Sequence, residues 1–165
     1  MSDFYLQLKD YFFIHQFVEP NPLFDIEKNA DFVNNVSSFI RKDENTNTYN
    51  LQVDIDLNEQ ESKNVSYRYK FKIFGIFSIT DKTKDQRIQF QIARDQGTSL
   101  LIGAIRERLS LLTSSGPYTN YVLDFVPLDK ISYFVPALNE EVKETKSSET
   151  IGKRHSPNRQ TKSKK

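Results

Sequence analysis

Two segments alternate strictly between apolar and polar residues, and no other feature of the chain restricts its fold as much. In the first, Tyr49, Leu51, Val53, Ile55 and Leu57 fall on one face and Asn50, Gln52, Asp54, Asp56 and Asn58 on the other. In the second, Val65, Tyr67, Tyr69, Phe71 and Ile73 alternate with Ser66, Arg68, Lys70 and Lys72. A period of two is the signature of a strand with one buried face. The polar stretch 59–64 between them reads as a hairpin loop. A turn centred near Gln60 or Glu61 sets Asp54 beside Arg68 and Gln52 beside Lys70. Opposite charges across strands favour that register by about 0.2–1 kcal/mol per pair. A one-residue slip would turn the aromatic face to water, which is the stronger constraint.

Beyond Ile73 the alternation gives way to an apolar run, Phe74-Gly75-Ile76-Phe77. Apolar residues on both faces predict cover on both sides, a helix on one and a second element on the other. Gly75 within it suits a bulge or a close backbone approach. A third strand is expected from Tyr5 to Phe17, with Leu6, Leu8, Phe12 and Ile14 on one face and Tyr11, Phe13 and His15 on the other. A fourth is expected from Tyr121 to Val126, ending at Pro127. One helix is plain: Thr98 or Ser99 can cap it, Leu101, Ile105, Leu109 and Leu112 recur on one face, and Gly116-Pro117 stops it. Residues 85–96 fit a short helix better than a strand. Between Phe17 and Thr48 no period is sustained, although Leu23, Phe24, Ile26, Phe32 and Phe39 lie there. Aperiodic connections of that length tend to be functional.

Composition narrows the function. The 165 residues include 13 Phe and 8 Tyr, enough for a hydrophobic core. There is no cysteine, which excludes disulfides, thiolate metal sites and a cysteine nucleophile. The two histidines, His15 and His155, have no evident catalytic partner, and the five glycines are scattered. Asp54 and Asp56 share a strand face, but Arg68 and Lys70 are their expected neighbours. We therefore expect no enzyme, no metal and no cofactor. The net charge is +1, yet residues 151–165 hold six basic residues and no acid, leaving −5 for the rest. Residues 139–165 read as a disordered basic tail, solvated rather than bound to nucleic acid. Without a long apolar run or a basic-then-apolar leader, a cytoplasmic protein with no membrane insertion is expected.

Several stretches resemble SecB, the bacterial export chaperone, and the SecB-like family. Phe74-Gly75-Ile76-Phe77-Ser78-Ile79 resembles the end of that family's third strand, and Leu101-Ile102-Gly103-Ala104-Ile105-Arg106-Glu107 the start of its long helix. Gly116, with Tyr118 two residues later, resembles the end of that helix. Phe17-Val18-Glu19-Pro20-Asn21-Pro22 is similar to the exit from its first strand. The resemblance spans about Leu6 to Tyr133 and implies an α+β fold in residues 1–138. Its core would be a four-stranded antiparallel sheet with helices packed on one face, assembled as a dimer of dimers. It implies neither cofactor nor nucleotide. The export chaperone docks the translocase motor SecA on an acidic sheet face. Here that face carries Arg68, Lys70 and Lys72 beside Asp54 and Asp56, which leaves motor binding open.

Together these readings predict an ATP-independent holdase that binds non-native polypeptides, with a role in export as one option. Phe17, Leu23, Phe24, Ile26 and Phe32 are expected to line an apolar groove, with Tyr118 at its margin. Aromatic rings give large contact area at low entropic cost and tolerate varied partners. The competing class is a dedicated adaptor for one partner, such as a toxin–antitoxin-associated SecB-like chaperone.

Overall fold

The computed structural model describes residues 6–80 and 85–135. The 139–165 tail, and with it His155, lies outside the described residues. In chain order the elements are β1 (Leu6–Pro20), β2 (Asn34–Asp43), β3 (Thr48–Leu57), β4 (Tyr67–Ile79), α1 (Gln86–Ile92), α2 (Thr98–Thr113) and β5 (Ser132–Phe134). A π-helical turn, Ala93–Gly97, joins α1 to α2 without a break. Neither Thr98 nor Ser99 therefore caps α2. Thr98 is buried instead, and its hydroxyl lies 3.0 Å from that of Ser38.

The strands form one mixed sheet in the order β1-β4-β3-β2-β5. This corrects the expected four antiparallel strands in three places. The aperiodic stretch contains a strand, β2, antiparallel to β3. Its inward positions are Val36, Ser38 and Ile40, while Phe39 points to solvent. A buried serine and an exposed phenylalanine hide the period. The Tyr121–Val126 strand does not form. Its backbone is held by the end of α2, where the Thr113 hydroxyl accepts from the Tyr121 amide at 3.0 Å. The fifth strand is β5, which runs parallel to β2 with Phe39 opposite Phe134.

The β3–β4 pair forms with the expected faces but in another register. Asp54 lies opposite Lys72 and Asp56 opposite Lys70. The displacement is four residues along β4; being even, it leaves every side chain on its face. The cause lies in the connection, which is no tight turn. Asn58 and Ser62 bond to Val33, and Lys63 bridges to Asp31, so the chain rejoins the sheet only at Tyr67. Lys72 then pairs with Asp54 at 3.2 Å, and Arg68 turns to Glu19 and Glu59.

β1 carries two bulges, at Lys9 and Ile14, that the sequence pattern does not reveal. They break its face assignment. Leu8, Tyr11 and Phe13 pair with Phe77, Gly75 and Ile73, whereas Phe12 pairs with Phe74 on the other side.

The core lies between the sheet and the helices. Leu51, Val53, Ile55, Tyr69, Phe71, Ile73 and Phe77 meet Leu101, Ile105 and Leu109 there, all buried. Leu112 is exposed, and Thr113 takes the buried position in its place. Gly75 marks the close approach: a Cβ there would stand 2.8 Å from Leu101 Cδ2. The expected second cover is absent among the described residues. Phe74 and Ile76 remain half-exposed on the sheet face away from the helices.

Candidate functional site

The residues between β1 and β2 form a pinned loop rather than a loose one. Asn21, itself buried, organises its start. Its Nδ2 donates to the Val65 carbonyl at 2.8 Å, its Oδ1 accepts from the Leu23 amide at 3.1 Å, and its amide donates to the Ser66 carbonyl at 2.8 Å. The Tyr118 hydroxyl donates to the Asn21 carbonyl at 2.7 Å. Asn64 organises the middle. It adopts a left-handed φ of 50° or less, at 46°, a region asparagine tolerates better than most residues. Its side chain accepts from the Asp25 amide at 2.9 Å and donates to the Asp25 and Lys28 carbonyls at 2.9 and 2.8 Å. Lys28, 2.9 Å from Asp25, and then the Glu27 amide hold the Asp25 carboxyl below its ordinary range.

Pinned in this way, the loop turns two large aliphatic side chains outward: Leu23 and Ile26 are each 82% exposed. The aromatic rings do the opposite. Phe24 packs on Tyr118, with centroids 4.9 Å apart, and Tyr118 on Tyr67. Phe32 stacks on Tyr121 at 4.3 Å, and Tyr121 stacks on Tyr69. Burial pushes both the Tyr69 and Tyr121 phenols up, and their hydroxyls lie 3.1 Å apart.

Of the six residues singled out from the sequence, the structure therefore brings Phe24 and Tyr118 together and sets Phe32 on Tyr121. Leu23 and Ile26 project into solvent. Phe17 stands apart, exposed and opposite Lys70 on the face away from the helices.

A groove that sequence reasoning missed runs beside this loop, between β1 and the C-terminal half of α2. Gln16, Val18 and Pro20 form one wall, and Arg108, Leu112, Gly116 and Pro117 the other, around a cleft of about 420 Å³. Tyr67 forms its floor, with its hydroxyl donating towards the Thr113 and Tyr118 carbonyls, each 3.3 Å away. Arg108 Nε donates to Gln16 Oε1 at 2.7 Å across the cleft. A sequence signal did exist: Leu112 lies one position away from the stripe that Thr113 completes. Among the described residues no cluster of His, Cys, Asp or Glu could hold a metal, and no helix is long and apolar enough to cross a membrane.

The fold has a known counterpart. The SecB-like chaperone Rv1957 of Mycobacterium tuberculosis, solved with a ChAD peptide from the antitoxin HigA1 (Rv1956), superposes with a TM-score of 0.56. The fold is SecB-like. The alignment covers 74% of this chain and 91% of Rv1957, at 13% identity. A protein of unknown function from Streptococcus agalactiae aligns over 75% of this chain and all of its own, at 10% identity and a TM-score of 0.42. No protein-family model and no curated protein matches the sequence.

Proposed function

We propose that this protein is a binding protein rather than an enzyme: a holdase that takes apolar segments of non-native polypeptides without nucleotide. The observation that carries this reading is the pair Leu23 and Ile26, held out by a loop pinned through Asn21 and Asn64 beside the groove between β1 and α2. Exposed aliphatic side chains on a flexible loop would collapse or lose entropy on binding; on a pinned loop that cost is met in folding. The groove adds an apolar wall, and its single guanidinium is tied to Gln16 rather than to an acid. The likeness to a SecB-like chaperone solved with a bound peptide supports the same reading. A cytoplasmic, oligomeric chaperone follows from it, and a role in export remains the narrower form of the proposal. The basic character of Arg68, Lys70 and Lys72 on the open sheet face argues against the acidic mode of SecA docking.

The test is suppression of aggregation of a chemically unfolded protein, without nucleotide. Wild type should suppress at near-stoichiometric amounts, and a variant lacking residues 151–165 should match it. Leu23→Ser with Ile26→Ser should remove most of the effect while leaving the unfolding curve unchanged. A second reading has support in the antitoxin peptide bound by Rv1957: an adaptor for one partner. Saturable binding to one peptide, with no suppression of general aggregation, would favour it.

A further inference from the structure

On the sheet face away from the helices, the observed register lines up one residue from each strand. Phe12 pairs with Phe74, Phe74 with Gln52, Gln52 with Phe39, and Phe39 with Phe134. The result is a transverse row, Phe-Phe-Gln-Phe-Phe, crossing all five strands. Three of its phenylalanines are open to water: Phe12 is 51% exposed, Phe39 41% and Phe134 58%. The two halves of the row differ in relief. Phe12 and Phe74 pack on each other with centroids 5.3 Å apart, whereas Phe39, Phe134, Gln52, Ser37 and Asp54 surround a hollow of about 350 Å³.

We propose that this face is an interface between two copies of the chain, packed sheet to sheet about a two-fold axis through the Gln52 position. Rotation about an axis along β3 carries each end of the row onto the other. The Phe12–Phe74 pair of each protomer then faces the hollow beside Phe39 and Phe134 of the other, an isologous fit of ring pair into hollow. The next row does not oppose this approach, because Lys72 neutralises Asp54 at 3.2 Å.

Two physical arguments choose a second copy over an unfolded client. The ladder consumes the peptide groups of the strands, so the face offers only side chains. An extended segment lying on it would strip water from its own peptide groups without return. A second sheet arrives with those groups already paired, and aligned sheets pack readily face to face. Area then sets the strength. At about 200 Å² per ring, the three open phenylalanines leave roughly 300 Å² uncovered. A stable interface takes about 800 Å² per partner. Bordering residues must supply the rest, so the pair should exchange at micromolar concentrations rather than be permanent.

The absence of cysteine from the chain permits a direct test. Gln52→Cys places a lone thiol at the axis, where it meets its own copy. Lys70→Cys places one on the same face but on β4, off the axis that runs along β3. With a short thiol-to-thiol bismaleimide added to the full chain at about 50 μM, Gln52→Cys should form a crosslinked dimer at least about tenfold faster than Lys70→Cys, the linker spanning the roughly 10 Å between packed sheets. Adding Phe39→Ser and Phe134→Ser should abolish that excess, with circular dichroism confirming an unchanged fold. Equal rates for the two thiols, or an excess that survives the serine pair, would overturn the proposal.

Discussion

On the helix-covered side of the sheet, Leu51, Ile55, Phe71 and Phe77 are buried to within 1% of complete. On the other side the same strands present Gln52, Asp54, Lys72 and Phe74, with Phe12, Phe39 and Phe134 beside them in solvent. Both faces hold phenylalanine. What separates them is whether a second layer removes those rings from water, and that decides whether a ring contributes to stability or stays available for binding. Hydrophobic content alone does not distinguish core from interface here; cover does.

The sharpest way to break this comparison is to truncate one ring on each side. Phe71→Ala, beneath the helices, should cost about 3–5 kcal/mol in denaturant unfolding. A loss under about 1 kcal/mol would mean that the covered face is no core. Gly75→Ala should come next, at about 1–3 kcal/mol, because the added methyl meets Leu101 and Phe77 where the helix sits closest. Full tolerance of alanine there would place α2 farther from β4 than described. Asn64→Ala removes three hydrogen bonds to the loop and a residue suited to left-handed backbone. About 1–2 kcal/mol of stability should go with it. Faster proteolytic cleavage between residues 22 and 30 should accompany the loss, and unchanged cleavage would show that the loop does not depend on Asn64.

The buried phenols add a pH signature of the covered side. Burial raises both Tyr69 and Tyr121 above the ordinary tyrosine value of 10.0. Their contribution is therefore complete below pH 10 and is lost as pH rises through the folded values, because the unfolded chain releases those protons first. The urea midpoint should fall above about pH 10, and fall less in Tyr121→Phe. A flat profile would put these hydroxyls in water. The smallest stability change belongs to the open face. Phe39→Ser with Phe134→Ser should move the monomer's unfolding free energy by no more than about 0.5 kcal/mol per site, so a larger loss would expose hidden cover.

Part of the candidate site was legible in the sequence. The stretch after Phe17 does carry exposed apolar side chains, but they are the aliphatic Leu23 and Ile26 rather than the rings. Phe24 and Phe32 face inward because Tyr118 and Tyr121 arrive from about ninety residues away to receive them. No local pattern announces such a partner. The groove stayed hidden for the same reason: its walls come from β1 and from α2, and each wall alone reads as an ordinary strand or helix.

Periodicity within a segment was enough to determine β3, β4 and α2 and to say which faces of them turn inward, save at Leu112, because burial of alternate or every third to fourth residue is decided residue by residue. Only the tertiary structure decided the rest. The four-residue change of register came from a loop zipped to Val33 and Asp31, the bulges at Lys9 and Ile14 from pairing with β4, and β2 from a core that accepts Ser38 through Thr98. The row of phenylalanines exists only once five strands are in register, since its members are brought together from positions 12 to 134. Such alignments are set by contacts distant in sequence, whose partners a local pattern does not name.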